Sequence, residues 1–268
     1  MSILTPYHHL FSVKLEASLS EARKELKKNG LKEIYTVEDK SQGMRFLGGY
    51  STSSSPPEKL ILVDYVETCS TIDWEAQARE FSPYYLEGLL QIPLVHFGKS
   101  EATLKLLPGE GFGDLSHPTT EMMLSTLSTK VEDKLVLDIG CGNGILSFAS
   151  SYFGAKKTWG IDIEEKAIAL ANENLNLNQL ENLVQFFHNS EYCTKPVPDV
   201  ILLNMISSEQ KIAWNSFPHL HEIPLEIITS GILKSQKANY LEICSLHNWE
   251  VVEEIEKNGW LTFVLSQT

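Results

Sequence analysis

What this sequence is short of is cysteine, positive charge and long apolar runs. Its four cysteines, Cys69, Cys141, Cys193 and Cys244, stand far apart with no CxxC pair, which excludes a zinc ribbon or a disulfide framework as the source of stability; no metal site is expected. No apolar run approaches the ~20 residues that span a bilayer, and the opening stretch MSILTPYHHLFSVKLEAS lacks a charged start followed by an apolar core. A protein of the reducing cytoplasm without membrane contact is the expectation. Basic residues are scarce: 22 Lys and Arg face 35 Asp and Glu, a formal net charge of −13. Such a surface repels phosphate backbones and attracts basic partners, so direct nucleic-acid binding is not expected. The imbalance is local, because the first 70 residues carry 9 basic and 9 acidic residues and the remainder 13 and 26. With 16 Gly and 11 Pro among 268 residues, 43% of them apolar, the chain is neither low-complexity nor disordered and can bury a full core.

Two patterns divide the chain. His9 to Leu15 reads as a strand, Ser18 or Ser20 caps a helix that Gly30 ends, and Lys32 to Val37, Met44 to Tyr50 and Leu60 to Val66 read as three further strands. This is a small α+β module over residues 1–70, of ferredoxin-like size and pattern. TIDWEAQAREF, residues 71–81, reads as a helix capped by Thr71, and 71–100 is taken as linker helix and connection. In the remaining segment, 101–268, strands alternate with helices, the mark of parallel βαβ units. The expected strands are Leu135 to Ile139, Thr158 to Asp162, Val184 to Phe187, Val200 to Leu203 and Glu226 to Thr229. Trp249 to Ile255 and Trp260 to Leu265, around Lys257-Asn258-Gly259, form an antiparallel closing pair.

The stretch that carries chemistry is Leu135-Val136-Leu137-Asp138-Ile139-Gly140-Cys141-Gly142-Asn143-Gly144, an apolar strand running through GxGxG into a helix. Glycine permits both a sharp turn and the close approach of a ligand. Asp162 follows Gly140 by 22 residues, at the end of the next strand, where a carboxylate can grip ribose hydroxyls. The spacing differs from the GxGxxG of dinucleotide sites, which leaves a nicotinamide cofactor as a distant alternative. Asp138 beside the loop suits a ligand bearing an ammonium or sulfonium, and S-adenosylmethionine is such a ligand. Ser190, or its neighbour Asn189, follows the third strand and is the candidate to reach an adenine. Asn204 ends a central strand, where ligands gather in open α/β sheets. Met122, Met123, Leu124 and Leu127 are read as core, Cys141 as inert, and Pro118 with Thr119 or Thr120 as the start of a helix.

VLDIGCGNG followed by GIDI resembles motifs one and two of the seven-stranded S-adenosylmethionine-dependent methyltransferases, which have a Rossmann-like sheet. Pro108-Gly109-Glu110-Gly111-Phe112-Gly113-Asp114-Leu115-Ser116-His117-Pro118-Thr119-Thr120 is similar to the PGxAFGTGxHPTT element of the PrmA family, which methylates the eleventh protein of the large ribosomal subunit. Asp199 to Ile206 resembles that family's DVVxANIL strand, Ser230-Gly231-Ile232-Leu233 its SGIL, and Asp73-Trp74-Glu75 its interdomain helix. The resemblance covers residues 71–268 well and the N-terminal module by size and pattern. It implies Thr120, Gly140, Asp162 and Asn204 as cofactor contacts, with Asn204 also beside the transferred methyl, and Asp138, Gly142 and Ser190 complete the candidate set. It implies methylation of a lysine or α-amino nitrogen on a basic ribosomal protein. Glu110-Gly111 and Asp114-Leu115 depart from the family pattern, so a methyltransferase for another protein or a small molecule, and a non-catalytic binding module, are the alternatives.

Overall fold

The computed structural model describes residues 7–14, 16–39, 44–51, 53, 55–57, 60–69, 75, 78–79, 82–109, 115, 117–192, 197–221, 223 and 225–267. The chain divides into two compact units, Met1–Asp73 and Trp74–Thr268. In the first, β1 (Tyr7–Val13), α1 (Leu19–Lys28), β2 (Lys32–Asp39), β3 (Met44–Ser51) and β4 (Val63–Cys69) build an antiparallel sheet in the order β2-β3-β1-β4. Ser18 caps α1 in a reciprocal box with Glu21, and Ala22 and Leu26 face Phe11, Leu47 and Val63 in the core. The strand order is that of a ferredoxin-like βαββαβ unit. Between β3 and β4, however, the described residues Ser53, Ser55, Pro56 and Pro57 form bends and coil in place of a second helix. The Glu25 carboxylate on α1 accepts the Ile61 and Leu62 amides, both at 2.9 Å, and so holds the approach to β4.

The second unit opens with a sheet absent from the sequence-based expectation. Within and beyond the stretch 71–100 taken as linker, β5 (Tyr85–Leu86), β6 (Leu89–Pro93) and β7 (Thr103–Leu106) pair antiparallel. Leu90, Ile92, Leu94, Leu104 and Leu106 are buried in the main apolar core. The expected helix 71–81 lies mostly outside the described residues, although Ala78 joins that core. There follow α2 (Pro118–Leu127), β8 (Leu135–Ile139), α3 (Ile145–Tyr152), β9 (Lys157–Asp162), α4 (Glu165–Asn178), β10 (Val184–His188), β11 (Val200–Asn204), α5 (Ser207–Asn215), β12 (Glu226–Leu233), α6 (Lys237–Leu246), β13 (Trp249–Lys257) and β14 (Trp260–Gln267).

Their seven strands form one sheet in the order β10-β9-β8-β11-β12-β14-β13, parallel from β10 to β12 and antiparallel at β14 and β13. Two-residue alternation splits the sheet's side chains between two apolar layers. Val136, Val200, Leu202 and Ile228 meet α3 and the β5–β7 sheet, while Leu137, Ile139, Ile201, Leu203 and Ile227 meet Trp214, Tyr240 and Phe263. Burial of both faces explains why these strands read as near-continuous Val, Ile and Leu. At the outer edge, β13 exposes Glu250, Val251, Val252, Glu253, Glu254 and Glu256. Lys130, Lys237 and Lys234 sit 3.7, 2.6 and 2.8 Å from Glu253, Glu254 and Glu256. Among the described residues no helix is long and apolar enough to cross a membrane.

Candidate active site at the carboxyl ends of the strands

The strand order reverses at β8, which has β9 on one side and β11 on the other. Connections leave such a point in opposite directions and open a crevice at the carboxyl ends of the strands. Ile139, Asp162, His188 and Asn204 end the four strands there; His188 lies opposite Asp162, and Ile139 lies opposite Ile161 and Leu203, one residue before the ends of β9 and β11.

The glycine loop folds back over the end of β9. Gly140 and Cys141 amides both donate to the Ile161 carbonyl, at 2.8 and 3.0 Å, and Gly144 donates to Cys141 at 2.9 Å. Gly140, Gly142 and Gly144 have φ of 74°, 55° and 89°, the left-handed region that disfavours any Cβ. At Gly140 a side chain would also collide with the Met205 methyl, and at Gly144 with the rings of Phe148 and Phe186. Asp162 closes the loop from below: the Gly142 amide donates to its Oδ2 and the Glu164 amide to its Oδ1, both at 3.0 Å. Each carboxylate oxygen keeps a second acceptor direction.

Asp138 is buried one residue before the end of β8, where its Oδ2 accepts the Ser147 hydroxyl at 2.7 Å. Burial, reinforced by the charge of Asp162, pushes its pKa up to about 7 against the favourable hydroxyl. Burial also pushes the Cys141 thiol up, so it stays protonated and unreactive, in agreement with its reading as inert.

Thr120 is fully buried in the first turn of α2, and its Oγ1 has no hydrogen-bond partner among the described residues. The same holds for Asn204 Oδ1 and Asn189 Oδ1. Ser190 is exposed, with its Oγ 2.7 Å from His188 Nδ1. Of that pair, the unpaired buried acceptor therefore belongs to Asn189. At the start of α2, Pro118 takes the first helical position and His117, which was not singled out as a cap, is the N-cap that accepts the Thr119 amide. His117 packs edge-on against Trp260 at 4.6 Å, and Lys257 pairs with Glu121, so the β13–β14 hairpin braces this helix. The departing loop residues Glu110 to Asp114 and Ser116 lie outside the described residues. Leu115 is described, is buried, and adopts φ of 62°.

Sequence reasoning missed three residues that hold this geometry. Asn143 Oδ1 accepts the Ile145 amide at the start of α3. Asn174 on α4 donates to the Asn143 carbonyl at 3.0 Å and accepts the Leu107 amide at 2.8 Å. Gln210 on α5 donates to the carbonyls of Met205 and Ser230, at 2.7 and 2.8 Å. The Asn143 contact was within reach of an Asx-turn reading, whereas the other two join segments distant in sequence.

A family model described as ribosomal protein L11 methyltransferase (PrmA) matches residues 13–268. The chain belongs to the PrmA family. The match extends the resemblance seen in the motifs across nearly all of the N-terminal unit. A ribosomal protein L11 methyltransferase of Acetivibrio thermocellus is 34% identical over 166 residues, which cover 62% of this chain and 53% of that protein. Against it the chain thus spans about half of the relative's length. One from Thermotoga petrophila is 27% identical over 241 residues, covering 87% of this chain and 89% of its own. The crystal structure of a ribosomal protein L11 methylase from Lactobacillus delbrueckii subsp. bulgaricus shares the fold, with a TM-score of 0.52 at 24% identity over 63% of this chain and 86% of that one.

Proposed function

We propose that this chain is an S-adenosylmethionine-dependent N-methyltransferase acting on lysine or α-amino nitrogen of ribosomal protein L11. One observation carries the reading: a glycine-rich loop tied to Asp162 lies at the same strand ends as Asn204, whose Oδ1 is buried and unpaired. Together with Thr120 Oγ1, also unpaired, these residues fit an adenosine carried on a sulfonium. When bound, S-adenosylmethionine supplies an already activated methyl group. The chain's own residues then bind and orient. Asp162 offers its remaining lone pairs to the two ribose hydroxyls, and Gly140 and Gly142 admit close approach. Asn189 or Ser190 faces the adenine, and Asp138, its pKa raised to about 7 by burial, contributes negative charge behind the loop in its ionised form, at and above neutral pH. Asn204 Oδ1 accepts a hydrogen bond from the incoming neutral amine and aims its lone pair, while the displaced proton passes to solvent. The family relationship and the names of the relatives support the choice of substrate, and the acidic excess beyond residue 70 favours a basic one.

Titration calorimetry and transfer of tritiated methyl to purified L11 test this together. Asp162→Ala is expected to raise the cofactor Kd by about tenfold or more, because charge-assisted hydrogen bonds are lost. Asn204→Ala is expected to lower kcat by about a hundredfold and leave the cofactor Kd within about threefold. No heat of binding at millimolar cofactor overturns the cofactor assignment, and label that bypasses L11 overturns the substrate.

A further inference from the structure

Where the parallel ladder between β11 and β12 ends, two main-chain carbonyls converge. The parallel ladder between the strands runs as far as Asn204 opposite Ser230. Met205 lies one residue past the end of β11, and the β12–β14 register shifts between Ser230 and Ile232. Gly231, at φ of 95°, allows the Met205 carbonyl to come so close that any side chain at position 231 would collide with it. The carbonyls of Met205 and Ser230 thus lie close together beyond the β11–β12 ladder, within reach of one side-chain donor.

One side chain answers both. The Gln210 amide nitrogen donates to Met205 O at 2.7 Å and to Ser230 O at 2.8 Å. Its Oε1 accepts the Thr229 hydroxyl at 2.9 Å and the Tyr240 hydroxyl at 2.6 Å. Gln210, Thr229 and Tyr240 are all buried, and burial pushes the Tyr240 phenol far up, so it remains a donor. Two donors and two lone pairs exhaust what a glutamine amide can offer, which fixes it in one orientation. Asn204 contrasts with this, since its Oδ1 meets no partner among the described residues. The backbone at 204–205 is thus what sets where that amide lies.

We propose that Gln210 is a positioning residue for methyl transfer, clamping the end of β11 to β12 at Ser230 so that the Asn204 amide is held toward the reacting amine. The inference rests on the role given to Asn204 under the proposed function. Gln210 acts through Asn204 and touches neither substrate nor cofactor. An ångström of misplacement in such a constellation costs about a hundredfold in rate.

The test uses the full chain and the variant Gln210→Met, with Gln210→Met combined with Thr229→Val and Tyr240→Phe as a version that keeps the volume and strands no hydroxyl. Expected for either is a kcat on L11 lowered about 10- to 100-fold, with the cofactor Kd within about twofold. In an Asn204→Ala background the same change is expected to lower kcat no further, because the clamp works through that side chain. Losses that multiply in the double variant would mark a merely structural role and overturn the proposal, as would an unchanged kcat. A readout independent of turnover is the pair of Asn204 side-chain NH signals, identified by their loss in Asn204→Asp. They are expected sharp in the parent protein and broadened or shifted on Gln210→Met. Were the parent chain to transfer no methyl, the enzymatic reading would fall while these signals still decide the clamp: left unchanged by the variant, they overturn it.

Discussion

A carboxyl group taken out of water must be compensated by donors, and Asp138 has the Ser147 hydroxyl for this and the charge of Asp162 against it. Its pKa, raised by burial from 3.8 to about 7, makes stability depend on pH in a definite sense. Between those values the folded protein keeps a proton that the unfolded chain has already released. The contribution is therefore whole below about pH 4, declines as pH rises to about 7 and is lost above it. Asp138→Asn, which can still accept from Ser147, should remove that decline. Urea denaturation at pH 4.5 and pH 8 should show the variant gaining on the parent at the higher pH, by up to about 4 kcal/mol at about 1.4 kcal/mol per pKa unit. An equal difference at both pH values would refute the burial argument. Asp138, the loop glycines and Asp162 were legible in the sequence because their arrangement is local, a strand, a turn and a spacing. Gln210 was not, because its partner Ser230 lies 20 residues on and nothing in SSEQKIAWN marks one polar residue as buried. Leu115 was legible as a departure from a glycine position, and its left-handed φ shows the backbone kept the conformation that glycine would take without strain.

The helix α4 does the work of a missing strand. Asn178 accepts the Lys105 amide at 3.0 Å and donates to the Lys105 carbonyl at 2.7 Å, and Asn174, one turn earlier, accepts the Leu107 amide. These side chains satisfy the outer side of β7 and, through Asn143, tie it to the glycine loop. Asn174→Leu keeps the branching of the side chain but leaves the Leu107 amide and the Asn143 carbonyl without that partner. The expected cost is about 1–3 kcal/mol in urea denaturation with an unchanged m-value, accompanied by weaker cofactor binding. A stable variant with the parent's affinity would show that the strand and the loop are independent. Nothing in the polar NENLNLN run marks one asparagine as buried, and the fold reveals that Asn174 is. The β5–β7 sheet escaped for a related reason: its strands are short, with Pro93 closing β6, and two-residue alternation over four or five positions does not separate strand from connection.

The positions of the seven strands, by contrast, and their parallel or antiparallel character follow from the alternation of apolar runs and helices together with the closing Lys257-Asn258-Gly259 turn, whereas the order in which they pair is set by contacts distant in sequence. Charge distribution belongs to the molecule as a whole. With 26 acidic against 13 basic residues beyond position 70, association with a basic protein should weaken with salt. Raising sodium chloride from about 50 to 300 mM is expected to increase the KM for the proposed substrate, L11, about tenfold and to alter the cofactor Kd less than about twofold. A KM that ignores salt would assign recognition to apolar contacts. The glutamates along β13 act on a different encounter. An open strand border invites a second chain to continue the ladder, and here a copy presenting its own β13 would set carboxylate against carboxylate before the first hydrogen bond formed. The border is fenced against fibre growth, so a crowded solution of this protein is guarded at the place where its sheet would otherwise extend from molecule to molecule.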